Sequence, residues 1–161
     1  MMKGKQGAGG QPTPARMTGA LERPRERLRI LVVDDDRAIL KAFAHALSAI
    51  DVDLVAVRRG EEAMAAVKAA PLFLAFVDIV LPGIDGLETL RALRAKQPQL
   101  PVIMMTTSHA KEDVAVLADY LGAAGCLSKP FRDGSEILKM IQRVRNRQQP
   151  FEKNDPPSTR P

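Results

Sequence analysis

The sequence predicts an α/β protein, a doubly wound five-stranded parallel sheet in a three-layer α/β/α arrangement. Short apolar runs alternate five times with amphipathic helical stretches. Strict alternation of this kind forces parallel strands joined by right-handed crossovers, with helices on both faces. The third run, Leu72 to Val77, is almost continuously apolar, as a strand buried on both faces requires. Four of the runs also end in an acid, a hydroxyl or an amine, at the sheet edge where open α/β sheets place their chemistry.

Order begins at Leu28. Arg29 to Val33 is a short apolar strand cut off by Asp34-Asp35-Asp36. Ile39, Phe43, Leu47 and Ile50 then recur at helical spacing, predicting an amphipathic helix over 37–49. Val52 to Val57 is the second strand. Gly60 opens a helix with Ala63, Met64 and Val67 on its buried face, and Pro71 stops it. The third strand runs into Asp78, and Pro82, Gly83 and Gly86 mark the loop beyond it. Leu87, Leu90 and Leu93 predict a third helix, closed by Pro98. Pro101 to Thr106 is the fourth strand, and a helix is expected over 110–121 through Val114, Leu117 and Leu121. Gly125 to Ser128 is a short fifth strand before Lys129-Pro130. The last helix is predicted over 134–146, with Ile137, Leu138, Ile141 and Val144 facing inward.

The chain has 161 residues, enough for one domain with a real core. Its net charge of +5 invites a nucleic-acid reading, but the charge is unevenly spread. Residues 28–146 carry fifteen basic and fifteen acidic side chains, so the excess belongs to the ends. Residues 1–27 are rich in Gly, Pro, Gln and Arg and are expected to form a flexible basic arm, with Met17 as an alternative start. Residues 148–161 are expected to be a polar, Pro-rich tail. Between them, 28–147 form the domain, and no helix-turn-helix for reading DNA fits in what remains. The single cysteine, Cys126, rules out an internal disulfide and fits a reducing compartment. No apolar run approaches membrane-spanning length, and the N-terminus lacks the apolar core of a signal peptide, so a cytoplasmic location is expected.

In a doubly wound sheet the ends of strands one and three are neighbours at the topological switch point. Asp34, Asp35 and Asp78 would therefore converge. Like charges this close repel unless a cation sits among them. Mg²⁺ is the natural guest, being hard and commonly held by one or two carboxylates, waters and a phosphate. The plain structural alternative for the Asp triplet is a helix N-cap that complements the macrodipole. Thr106 ends strand four with a hydroxyl, and Lys129 ends strand five with an ammonium. Both are donors that the equatorial oxygens of a phosphoryl group would need. Pro130 offers a cis peptide that could aim the Lys129 amine inward.

Through ILVVDDD, the Asp78-x-x-LPG-x-DG loop, the Thr-ending fourth strand and Lys129-Pro130-Phe131, residues 28–147 resemble the receiver domain of two-component response regulators, the family of the chemotaxis response regulator. The resemblance implies a flavodoxin-like (βα)5 fold and a signalling domain that catalyses only its own phosphorylation and dephosphorylation. It implies Asp78 as the aspartate that takes a phosphoryl group from the phosphohistidine of a histidine kinase. Asp35, Asp78 and the backbone carbonyl of Val80 are implied as Mg²⁺ ligands, with Asp34 acting through water. Thr106 and Lys129 resemble the switch hydroxyl and the phosphate-reading lysine. The implied partners are a histidine kinase or phosphotransfer protein and a downstream output protein, and a phosphorylation-dependent homodimer is left open.

Three departures from the family pattern stand out. Cys126 occupies a switch position that is often aromatic, and reads best as a small core residue. The segment from Thr106 to Lys129 is about one residue longer than usual, with Thr107, Ser108 and His109 altering the loop. Val80 and Ser108 flank the site, and an apolar Val80 cannot position an attacking water, so a long-lived phosphoform is expected. His109 and His45 read as solvent-facing. Two other readings stay open. Asp34-x-Asp36 resembles the nucleophile and acid/base pair of haloacid-dehalogenase-type phosphatases, which would need Asp133 and Glu136 as a second acidic pair. The second is a pseudo-receiver, an adaptor that works without phosphorylation.

Overall fold

The computed structural model describes residues 27–107, 116 and 119–148. Five strands form one parallel sheet in the order β2-β1-β3-β4-β5. They are β1 (Leu28–Val33), β2 (Val52–Val57), β3 (Leu74–Asp78), β4 (Val102–Thr107) and β5 (Gly125–Lys129). Among the described residues four helices join or follow them: α1 (Arg37–Leu47), α2 (Gly60–Ala69), α3 (Gly86–Lys96) and α4 (Ser135–Gln148). The helix expected over 110–121 lies outside the described residues, apart from Val116 and Asp119 to Leu121.

The sheet separates two cores because successive side chains of a strand point to opposite faces. Leu31 and Val33 of β1, Ala75 and Val77 of β3, and Val102 and Met104 of β4 pack against Ala63 and Ala66 of α2 and Leu90 and Leu93 of α3. Their alternates Ile30, Val32, Leu74, Phe76, Ile103 and Met105 pack against Phe43 and Leu47 of α1 and Ile137, Ile141 and Val144 of α4. Every residue of β3 is buried, as its unbroken apolar run predicts. Full burial of each large aliphatic or aromatic side chain stabilises the fold by about 1.5–3 kcal/mol.

Small differences from the predicted elements have local causes. Ile50 does not extend the α1 face: the helix ends at Leu47, and Ile50 is exposed beyond it. On α2 the fully buried positions are Gly60, Ala63 and Ala66, while Met64 and Val67 are only half-buried. Small residues dominate there because α2 packs closely on α3. A Cβ at Gly60 would overlap Thr89 Oγ1 and lie 2.8 Å from Ile84 Cδ1.

Candidate functional site

Parallel pairing brings the strand ends into line. Val33 pairs with Val77, so Asp34 leaves β1 beside Asp78, the last residue of β3. On the other side Asp78 pairs with Met105, and Thr107 with Lys129. One carboxylate oxygen from each of Asp34, Asp35 and Asp78 lies within 4.8 Å of the others. Asp34 and Asp78 are buried and Asp35 is exposed.

Lys129 reaches into this cluster from β5. Its Nζ is 2.9 Å from Asp34 Oδ2 and 2.9 Å from Asp78 Oδ2. The peptide that follows, Lys129–Pro130, is cis. Phe131 then stacks edge-on against Phe43 of α1, with ring centres 5.6 Å apart, and Phe43 in turn meets Phe76 of β3 at 4.8 Å. The aromatic chain ties the loop after β5 to the core beneath the site.

Burial pushes the Asp34 carboxyl above its ordinary range, against the hydrogen bonds from Lys129 and the Asp36 amide, while the Asp78 charge pushes the same way as burial. For Lys129 burial acts to release the proton, but hydrogen bonds to Asp78 and Asp34 outweigh it and the net shift is upward. The ammonium is therefore held charged. Three carboxylates facing one ammonium leave uncompensated negative charge in an all-oxygen donor set. That is the state a hard divalent cation neutralises, so the residues present fit such an ion.

The Asp triplet divides its labour. Asp34 and Asp35 join the cluster, whereas Asp36 caps α1, its Oδ1 accepting from the Ala38 N–H at 2.8 Å. The helix-cap alternative is thus correct for one residue of the three. Asp133 is occupied similarly: its Oδ1 accepts from the Ser135 N–H at 2.8 Å as α4 begins, and hydrogen bonds to Ser135 hold its carboxyl below the ordinary range. The phosphatase reading needed both Asp36 and Asp133 at the centre, and both carboxylates are engaged at helix starts.

Thr106 is buried, and its hydroxyl donates to the Thr107 carbonyl at 3.1 Å. Val80 lies two residues past Asp78 and is 77% exposed. Cys126 pairs with Met104 and packs half-buried on the α2/α3 core. Burial, then the nearby Asp119 charge, pushes its thiol upward, which disfavours the reactive thiolate and fits a core role. His45 is exposed on α1, while Ser108 and His109 lie outside the described residues.

Arg58 and Glu61 were not singled out from the sequence, and Gly86 was read only as part of the loop. Gly86 instead begins α3 against the strand end, where a Cβ would overlap the Asp78 carbonyl oxygen. Its amide donates to the Ile79 carbonyl at 2.9 Å. The pattern Asp85-x-x-Glu88 could have located this helix start, since Asp85 Oδ1 accepts from the Glu88 N–H at 2.8 Å. Arg58 and Glu61 bracket the pocket from the β2–α2 side. Arg58 donates to the Asp35 carbonyl, and Glu61 Oε1 accepts from the Ile84 N–H at 3.3 Å in the loop after β3. Gly83, at φ +84°, gives that carboxylate room, because a Cβ there would lie 2.5 Å from Glu61 Oε1. No local pattern announces either contact.

The family model described as "Response regulator receiver domain" matches residues 30–142. The chain is 36% identical over 115 residues to the DNA-binding transcriptional regulator NtrC of Salmonella typhimurium, covering 71% of this chain and 24% of that protein. It is 34% identical to the response regulator protein FleR of Pseudomonas aeruginosa over 129 residues, 80% of this chain and 27% of FleR. The chain thus spans about a quarter of the length of these relatives. Among solved structures, the chemotaxis protein CheY4 of Vibrio cholerae superposes with a TM-score of 0.68 at 28% identity, covering 73% of this chain and 98% of that one. The receiver domain of NtrX from Brucella abortus does so with a TM-score of 0.67 at 32% identity, covering 71% and 96%.

Proposed function

Because the chain belongs to the response regulator receiver domain family, and is a signalling phosphoacceptor rather than a catalytic enzyme, we propose that Asp78 is the residue it phosphorylates. The observation that carries the assignment is the Lys129 ammonium, 2.9 Å from Asp78 and 2.9 Å from Asp34, beside an acidic cluster at the end of the central strand. Residues 28–147 form the receiver, with 1–27 and 148–161 as flanking segments.

A carboxylate oxygen of Asp78 attacks the phosphorus of a phosphohistidine on a histidine kinase or phosphotransfer protein. The O–P bond forms as the N–P bond breaks, and the imidazole leaves with the electron pair. The Lys129 ammonium and the Thr106 hydroxyl donate to the phosphoryl oxygens. Asp35, Asp78 and the Val80 carbonyl would hold Mg²⁺, with Asp34 ordering its waters; when bound, the ion neutralises charge developing on those oxygens. Water later cleaves the acyl phosphate, which gives the signal a finite life. Lys129 and Thr106, drawn toward the phosphoryl group, shift the population of the surface around β5 and α4 that an output protein reads, with Cys126 in the switch position.

Intact-mass spectrometry after incubation with acetyl phosphate and Mg²⁺ tests this. One phosphate adduct is expected, lost with EDTA and absent from Asp78→Asn. Stoichiometric phosphate on Asp78→Asn would refute the assignment. No adduct from acetyl phosphate or from a kinase donor would favour the phosphorylation-independent adaptor.

A further inference from the structure

Of the three pocket carboxylates, Asp35 is the least constrained. Asp34 is held by Lys129 and by the Asp36 N–H at 2.9 Å, and Asp78 is held by Lys129. The Asp35 side chain is exposed on the β1–α1 loop, and its carboxylate makes no hydrogen bond or ion pair among the described residues. Its backbone is held from the neighbouring loop instead. Arg58 Nη2 and Nε both donate to the Asp35 carbonyl, at 3.0 and 3.3 Å. Arg58 is itself anchored, its N–H donating to Glu62 Oε2 at 2.8 Å in the first turn of α2. The fork therefore extends from a helix start that is packed against α3 through Gly60.

We infer that Arg58 is a positioning residue for the acidic pocket. By gripping the Asp35 carbonyl it keeps the Asp35 carboxylate among those of Asp34 and Asp78, and so raises the affinity of the cluster for a divalent cation. The inference rests on the cluster being a cation site.

Its sign is opposite to that of simple electrostatics. A guanidinium beside an acidic cluster repels an incoming cation, so on Coulombic grounds its removal would tighten binding. Positioning demands the reverse. Groups that orient metal ligands commonly matter by about 10- to 100-fold in affinity. Arg58 is exposed and acts through backbone, so a loss of about tenfold, the low end of that range, is expected. Lysine keeps the charge but lacks the rigid two-donor fork, and should not substitute.

The test is Mg²⁺ titration of the isotope-labelled, unphosphorylated full chain, with dissociation constants read from the backbone amide shifts of residues 34–36. Wild type, Arg58→Ala, Arg58→Lys and Asp35→Asn are compared, and thermal midpoints without cation report on the fold. Both Arg58 variants should bind Mg²⁺ about tenfold more weakly while keeping the wild-type midpoint. Wild-type or tighter affinity in either variant overturns the inference, and the cation site itself stands if Asp35→Asn loses binding. If Asp35→Asn titrates like wild type, the cation-site reading fails and the inference falls with it.

Discussion

Lys129 Nζ lies 2.9 Å from Asp34 Oδ2, across 95 positions of sequence. Asp34 is fully buried and the Lys129 side chain is only 12% exposed, so this is an interior ion pair at a sheet edge. Such pairs add little net stability, because desolvation offsets attraction, but removing one partner strands the other. Here two carboxylates would be stranded. Lys129→Met should therefore destabilise the cation-free protein by about 3 kcal/mol, measured by chemical denaturation. Added Mg²⁺ should restore more stability to the variant than it adds to wild type, since the ammonium no longer competes for the same oxygens. Equal Mg²⁺ dependence would mean that Lys129 and the cation do not share them.

The same pair sets an alkaline limit. The Lys129 pKa is raised above its ordinary 10.5 by hydrogen bonds to Asp78 and Asp34, which outweigh the opposing effect of burial. A raised folded-state pKa means the contribution is complete below the unfolded value and is lost as pH climbs through the folded one. The stability advantage of wild type over Lys129→Met should thus be flat from neutral pH up to the ordinary value of 10.5 and shrink above it. Denaturant midpoints of both proteins across that range measure it. A constant difference would show that the proton on Lys129 contributes nothing.

Gly86 stands where α3 begins against the backbone of Asp78. Alanine is the better helix former by about 1 kcal/mol, yet its Cβ would overlap the Asp78 carbonyl oxygen and lie 2.7 Å from Ile79 Cα. Backbone on both sides cannot give way as a flexible side chain would. Gly86→Ala should cost about 2 kcal/mol net and slow Asp78 phosphorylation by displacing the strand end. Unchanged stability in a denaturation experiment would show that α3 can move aside.

Asp36 separates capping from chemistry within one triplet. Its carboxylate accepts from the Ala38 N–H at 2.8 Å and belongs to α1. Asp36→Ala should lose about 1 kcal/mol of stability. Its phosphate adduct and Mg²⁺ affinity should match wild type, in contrast to Asp34→Asn or Asp35→Asn. A loss of Mg²⁺ binding in Asp36→Ala would place Asp36 in the pocket.

The strands, the four described helices and the core were legible because each is written in local periodicity. The β3 run from Leu74 to Val77 is apolar on both faces, and it is buried on both. Phe43 and Leu47 fall one helical turn apart and meet the same core. Ile50 misled because periodicity alone does not mark where a helix stops, and α1 ends first.

At the pocket, the acids Asp34, Asp35 and Asp78 and the Lys129 amine could be placed at the strand ends from the sequence, and Thr106 fell one residue short of the end of β4, which runs to Thr107. How these groups are shared out follows from packing. It placed Asp36 on a helix cap, and it set one ammonium between two carboxylates whose strands are adjacent. It also brought Arg58 to the Asp35 carbonyl and Gly86 to the Asp78 carbonyl. Those contacts cross from one loop or strand end to another, and they depend on how closely the backbones approach. No spacing along the chain encodes such distances, because they are fixed only when the sheet twists and the helices pack upon it.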